Sequence, residues 1–155
     1  LKFNIKRVFF RLLLGNSTPH GIALGVAIGA FIGFLPLYGL HTVLVILAAI
    51  IVRPANKFAI LLGTNVSLPP TVPFITWAGY ETGRLILKGR FPPLQWSDLK
   101  NISFKSIIDH YEPLFLGSVI LGIICALVLY FLVFFVVKGI IKRRRKKRKK
   151  NAGKP

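Results

Sequence analysis

From Gly21 to Ile51 the sequence GIALGVAIGAFIGFLPLYGLHTVLVILAAII carries no formally charged side chain, and Pro36 stands near its middle. About 18 consecutive apolar residues are enough to be membrane-embedded, because a helix must cover about 30 Å of hydrocarbon at about 1.5 Å per residue. This run is too long for one upright helix. Two shorter helical pieces meeting around Phe34 to Leu40 account for both its length and its interruption, which is the pattern of a broken or re-entrant segment rather than a simple anchor. Pro36 enforces the break, since proline lacks an amide proton and clashes with the preceding turn.

Composition agrees. Of 155 residues 54% are hydrophobic and only 17% charged, which is unusual for a soluble domain. The net charge of +18 is compatible with a membrane chain because it is concentrated: half of the 22 basic residues lie from Lys138 onward, nine of them between Lys142 and Lys150. Cys125, the single cysteine, sits inside an apolar stretch and reads as a small packed or lipid-facing residue. The sequence opens at Leu1 rather than methionine, as a processed, truncated or partial chain would. Its first dozen residues are too basic and too short in apolar stretch to read as an ordinary signal peptide.

The expected fold is all-α and integral to the membrane, in five regions. Residues 1–14, LKFNIKRVFFRLLL, place Lys2, Lys6 and Arg7 among apolar residues and suit an amphipathic helix, lying in the headgroup layer or packed on the protein. After a GNSTP turn, residues 16–90 form a core of two proline-broken segments. In the first, Gly21, Gly25, Gly29 and Gly33 recur every fourth residue and stack into a groove that lets another backbone approach, within the chain or between chains. Pro36 interrupts the first segment, and Pro69, Pro70 and Pro73 interrupt the second, FAILLGTNVSLPPTVPFITWAGY. The shared design raises an internal structural repeat as an expectation. Residues 91–113 are a polar, interfacial connector with Trp96 as an anchor, 114–137 a membrane-spanning helix, and 138–155 a polybasic tail.

Charge suggests a topology. The N-terminal segment, the Arg53 to Lys57 turn and the tail are positive and belong on the cytoplasmic side, whereas Glu81 to Glu112 is nearly balanced and can lie outside. The first segment is then a hairpin or a pair of tilted short helices, the second crosses outward through its broken middle, and the last helix returns. The basic termini attract anionic lipid at about 1 kcal/mol per residue near the surface. The same charge could meet nucleic acid or an acidic protein, but no aromatic interleaving or folded module for reading bases accompanies it, so no specific nucleic acid is expected.

Backbone groups freed at a break cannot be left in lipid, and broken helix ends carry partial charges that attract ions or polar solutes. Candidate substrate-binding or coupling residues are therefore those beside the breaks, His41, Thr42, Asn65, Ser67 and Thr71, with Tyr38, Thr64 and Thr76 nearby. Ser and Thr can equally satisfy helix backbone with no further role. His41 suits proton coupling, contact with an anion, or a neutral bridge between helices. Glu81 and Arg84, one turn apart, form a local ion pair or leave Arg84 to meet a phosphate. No catalytic constellation, metal-ligand spacing or cofactor motif is present, and no carboxylate lies in the first 80 residues. The chain is expected to act without metal or cofactor and not as an enzyme, with an enzyme acting on a membrane lipid phosphate as the weaker third reading.

STPHGIALGVAIGAFIGFLPLYGLHT, RPAN and PPTVPFITWAGYETGRLIL together resemble the small bacterial membrane-protein family called domain of unknown function 2062, over roughly Asn16 to Gly89. Members often carry Asn-Pro in the second broken region. This sequence has Leu68-Pro69, with asparagine at Asn65 instead. Related domains are sometimes joined to glycosyltransferases that use polyprenyl-phosphate carriers, so the resemblance implies handling of a lipid-linked phosphate or an envelope pathway as partner. The resulting expectation is a small multi-pass inner-membrane transport protein with a cytoplasmic C-terminus, a homo-oligomer, moving an anionic or polyprenyl-phosphate-linked lipid. The alternative is a noncatalytic scaffold or assembly factor for an envelope glycosylation or lipid pathway.

Overall fold

The computed structural model describes residues 17–37, 39–67, 70–90, 93 and 111–152, with side chains as far as Arg143. The amphipathic helix expected over 1–14, Tyr38, Pro69 and nearly all of the connector with Trp96 lie outside the described residues. Every regular element described is helical: α1 Pro19–Phe34, α2 His41–Ile51, α3 Lys57–Thr64, a 3-10 turn Asn65–Ser67, α4 Val72–Ile86 and α5 Tyr111–Ala152.

The caps follow from local chemistry. Thr18 is extended and its Oγ1 accepts from the Gly21 N–H at 3.0 Å, with Pro19 in the first turn of α1, where a missing N–H costs nothing. Extended Leu35 and then Pro36 end α1. Asn56 caps α3 by accepting from the Ala59 N–H at 3.0 Å. Pro73 does not break a helix as expected. It lies in the first turn of α4, where proline's fixed φ favours helix initiation, so the second interruption lies upstream, around Pro70 and Thr71.

Two seams of small residues hold the chain together. Along the first, a methyl group built on Gly21 would fall on the Pro54 carbonyl oxygen, on Gly25 it would stand 2.7 Å from Ala59 Cβ, and on Gly29 it would meet the Ile60 carbonyl oxygen. At Gly33 the neighbour is Ser67, with its Cβ 3.3 Å away. Contacts advance together along both chains, so α1 and α3 run parallel, backbone against backbone, and the glycine ladder is occupied by its own chain. The second seam sets Gly79 and Gly83 of α4 against Pro113, Gly117 and Ser118 of α5, with numbering running in opposite senses. Small residues are what membrane helices need for such approach.

Among the described residues α5 is the one helix long and apolar enough to cross a membrane by itself, over Tyr111–Arg143, and almost none of that apolar surface is buried within the chain. Its helix does not stop at the apolar boundary but continues through the basic block to Ala152. Lysine and arginine are good helix formers and are favoured near a helix C-terminus, which explains the extension. α1 lies antiparallel to it: Ile22 clusters with Ala59 and Val137, while Phe31 and Phe34 flank Gly122. α4 packs on the opposite half of α5, so α1 and α4 divide its length between them.

The Val52–Asn56 turn returns to the base of α1, where the Asn56 N–H donates to the Gly21 carbonyl at 2.9 Å. α1 and α2 therefore form a hairpin with both ends at one end of the molecule, the end that also carries Arg53, Lys57, Lys138, Lys142 and Arg143. At about 1.5 Å per residue α1 is about 24 Å long, short of the hydrocarbon thickness. α3 with its 3-10 turn and α4 behave differently: they are bent by 80° at their break and together have the length and composition of one broken span. The two segments thus share a proline break but not a packing arrangement, since α2 has no buried residue whereas α4 is seated on α5.

Candidate functional site

The two breaks meet. The end of α1 and the Leu35–Pro36 corner, His41 at the start of α2, Ser67 of the 3-10 turn, the first turns of α4 and residues Leu114 and Ser118 of α5 surround one small cavity. Segments separated in sequence by the whole of α2 and α3 are brought together because parallel α1 and α3 carry both breaks to the same height along α5.

Helix ends dominate the electrostatics of this point. α1 and α3 arrive with their C-terminal ends, and α2 and α4 leave with their N-terminal ends. No basic residue occupies the last turn of α1 or α3, and no acidic residue the first turn of α2 or α4. Partial charges of both signs therefore face a low-dielectric region without side-chain neutralisation, which favours a polar or ionic guest. The space between them is about 10 Å³, room for roughly one water molecule.

Of the residues singled out by sequence, His41, Ser67 and Thr76 line the cavity. His41 is half-buried and its Nε2 is shielded from solvent. Thr76 Oγ1 donates to the Val72 carbonyl at 2.9 Å, and Thr71 Oγ1 to the Val66 carbonyl at 2.6 Å, bracing the turn before α4. Thr64 and Asn65 both donate to the Leu61 carbonyl, at 2.7 and 3.2 Å, and Asn65 is exposed. Thr42 is exposed on α2. Glu81 and Arg84 lie outside the cavity lining, near the far end of α4, and the guanidinium Nε and Nη2 both donate to Glu81 Oε2, at 3.0 and 2.6 Å. Of the two expectations for Arg84, the structure has the local ion pair. Both side chains remain partly exposed, so the pair contributes about 0–1 kcal/mol. Arg84→Ala is accordingly expected to shift the unfolding midpoint of the purified protein by no more than this; a larger loss would mean that Arg84 holds something besides Glu81.

Several polar residues outside the candidate set also tie the helices together. Ser118, 1% exposed, lines the cavity and faces Gly79 across the second seam. Its signal was the Gly117-Ser118 pair of small residues inside an otherwise bulky apolar helix. His20 Nδ1 lies 2.7 Å from the Tyr130 hydroxyl, joining the base of α1 to the middle of α5 across a long sequence separation. The Asn56 amide likewise donates to Ser17 Oγ at 2.6 Å. The STPH and RPAN motifs are thus explained largely by how they build and tie the hairpin base. Among the described residues no three His, Cys, Asp or Glu side chains gather as metal ligands would.

The family model DUF2062, described as an uncharacterized protein conserved in bacteria, matches residues 3–146. The match extends beyond the region that carried the resemblance and takes in α5. No curated protein and no solved structure matches the chain.

Proposed function

The chain belongs to the DUF2062 family of bacterial proteins, and from that premise we propose that it is a small inner-membrane transport protein whose two broken segments form a passage point for an anionic or lipid-linked phosphate group. The observation that carries this reading is the convergence of both breaks, with four unneutralised helix ends, on one cavity lined by His41, Ser67, Thr76 and Ser118. The helix N-termini of α2 and α4 would receive the anionic group, His41 would balance its charge or carry a proton, and the hydroxyls would replace lost water. Passage of such a group requires the hairpin tip and the start of α4 to separate, because the cavity holds no more than about one water.

In this reading the basic end faces the cytoplasm and anionic lipid, and the protein acts without catalysis. A fluorescent protein fused to the C-terminus is expected to fluoresce and a secreted phosphatase at the same position to stay inactive. The reverse pair of results would invert the topology.

The test of the function is lipid retention. Purified with its native lipids, the wild-type chain is expected to keep one phosphate-headed lipid, enriched over the bulk membrane by mass spectrometry. His41→Ala and Ser118→Leu should lose it, and Arg84→Ala should keep it, provided all three remain monodisperse. Anionic lipid of bulk composition, unchanged by every substitution, would reject the lipid carrier. The second reading, a noncatalytic scaffold for an envelope glycosylation or lipid pathway that recruits a glycosyltransferase or related protein, is favoured by the small size of the cavity. It predicts loss of partner association without any flux or lipid phenotype.

A further inference from the structure

The base of the hairpin, at the opposite end of α1 from the cavity, carries a second group of polar and cationic side chains. His20 is exposed, and its Nδ1 lies 2.7 Å from the Tyr130 hydroxyl, so Nε2 is the ring nitrogen left to face outward. The Tyr130 ring stacks on Phe134 with 6.1 Å between centroids, and the Lys138 ammonium lies over the Phe134 ring, 5.4 Å from its centroid. Tyr130, Phe134, Lys138 and Lys142 recur every fourth residue and therefore share one face of α5, aromatic within the apolar stretch and cationic where that stretch ends. Ile22 packs beside Val133 and Val137, which sets His20 at the height of this change. All four carboxylates of the chain lie between Glu81 and Glu112. The two that are described, Glu81 and Glu112, stand at the other end of α5, so among the described residues no carboxylate neutralises this cluster.

We propose that His20 and Lys138 hold the phosphate of an anionic lipid headgroup where the base of α1 meets α5, with an acyl chain of that lipid lying along Phe134 and Tyr130. The height is that of the headgroup layer, because Val137 closes the apolar stretch of α5 and Lys138 opens the basic one. Both donors are oriented before a lipid arrives, the imidazole by the Tyr130 hydroxyl and the ammonium by the aromatic face beneath it, so little side-chain freedom is lost on binding. A zwitterionic headgroup brings an ammonium for which this end has no described carboxylate. A headgroup of net negative charge meets only cations and donors, with Lys142 one turn further out on the same face. Soluble phosphate shares the charge, but the aromatic face below the cations suits an attached acyl chain. Lys138 is about 30 Å along α5 from Ser118, so this site is separate from the cavity. The inference rests on the membrane placement of the chain and not on any transported group, so it can fail while the proposed function stands, and the reverse.

The experiment places a single tryptophan at the site, Phe134→Trp in a Trp77→Phe, Trp96→Phe background, which keeps an aromatic face beneath Lys138. The full chain is reconstituted into phosphatidylcholine vesicles in which a fixed fraction of the lipid is brominated phosphatidylglycerol or, in parallel, brominated phosphatidylcholine. Quenching of the tryptophan then compares the two lipids at this position, and lipid held at the cavity does not register. The anionic lipid is expected to be preferred by about fivefold or more, the factor one cation near a membrane surface supplies. Lys138→Gln and His20→Ala should each bring the preference close to parity. Arg143→Gln, the same loss of charge on a different face of α5, should leave it unchanged. Equal quenching by both lipids in the starting protein overturns the proposal. An equal fall from Arg143→Gln and Lys138→Gln overturns it as well, because the attraction is then diffuse. Relief of quenching by inorganic phosphate, beyond that from sodium chloride at the same ionic strength, overturns the lipid assignment in favour of a soluble phosphate.

Discussion

Gly29→Ala is expected to destabilise the protein by about 3 kcal/mol, at or beyond the upper end of the usual overpacking cost. Alanine is the better helix former by about 1 kcal/mol, so on local propensity alone the substitution should help. Tertiary contact reverses the sign. The added methyl would fall on the Ile60 carbonyl oxygen and stand 2.9 Å from both Gly63 Cα and Thr64 N, and all three are backbone atoms that cannot rotate away. α1 and α3 would have to separate along their whole seam. Gly33→Ala is the internal control: its nearest neighbour is Ser67 Cβ at 3.3 Å, so a few tenths of an ångström of adjustment suffice, and the effect should lie within about 1 kcal/mol of zero. The measurement is equilibrium unfolding in mixed micelles followed by circular dichroism. Equal effects at positions 29 and 33 would show that the seam is not the close contact described.

Gly83→Ala is expected to produce a loss of similar size by parting α4 from α5. Its methyl would fall on the Pro113 carbonyl oxygen, with Pro113 Cα 2.9 Å away, and Pro113 is fully buried. Gly79→Ala, one turn earlier, meets Ser118 Oγ at 2.5 Å but Ser118 Cα only at 3.5 Å, so rotation of one side chain relieves most of the overlap. The expected order is thus a large loss at 83 and a smaller one at 79, in the same unfolding assay. The two seams share no residue contact, so Gly29→Ala and Gly83→Ala should add within about 0.5 kcal/mol. Marked non-additivity would mean that α1 and α4 are coupled through the cavity where their ends meet, a result that would bear directly on how that point opens.

The seams also change what the glycine ladder means for assembly. A glycine groove on a short membrane helix is an obvious place for another subunit, yet Gly21, Gly25 and Gly29 are covered by Pro54, Ala59, Ile60 and Gly63 of the same chain. Any contact between copies has to use a different surface.

Much of the architecture was legible before folding was considered. The uncharged length of Gly21–Ile51, the proline at its centre, the single spanning stretch before the basic block and the four-residue glycine spacing follow from local physics: hydrocarbon excludes charge, proline removes a donor, and a helix repeats every 3.6 residues. The Glu81–Arg84 pair was legible for the same reason, since it acts within one turn. Position in a break was a weaker guide to site residues. Asn65 and Thr42 are exposed beside breaks, Pro73 starts a helix, and Ser118, far from any break in sequence, lines the cavity. What tertiary structure alone decided was which surfaces face one another: the ladder against α3, α4 against the start of α5, both breaks at one height, and His20 against Tyr130. Sequence periodicity defines a helix face, but the partner of that face is set by the simultaneous packing of all the helices, and apolar helices in lipid carry no charge or hydropathy difference that would announce it.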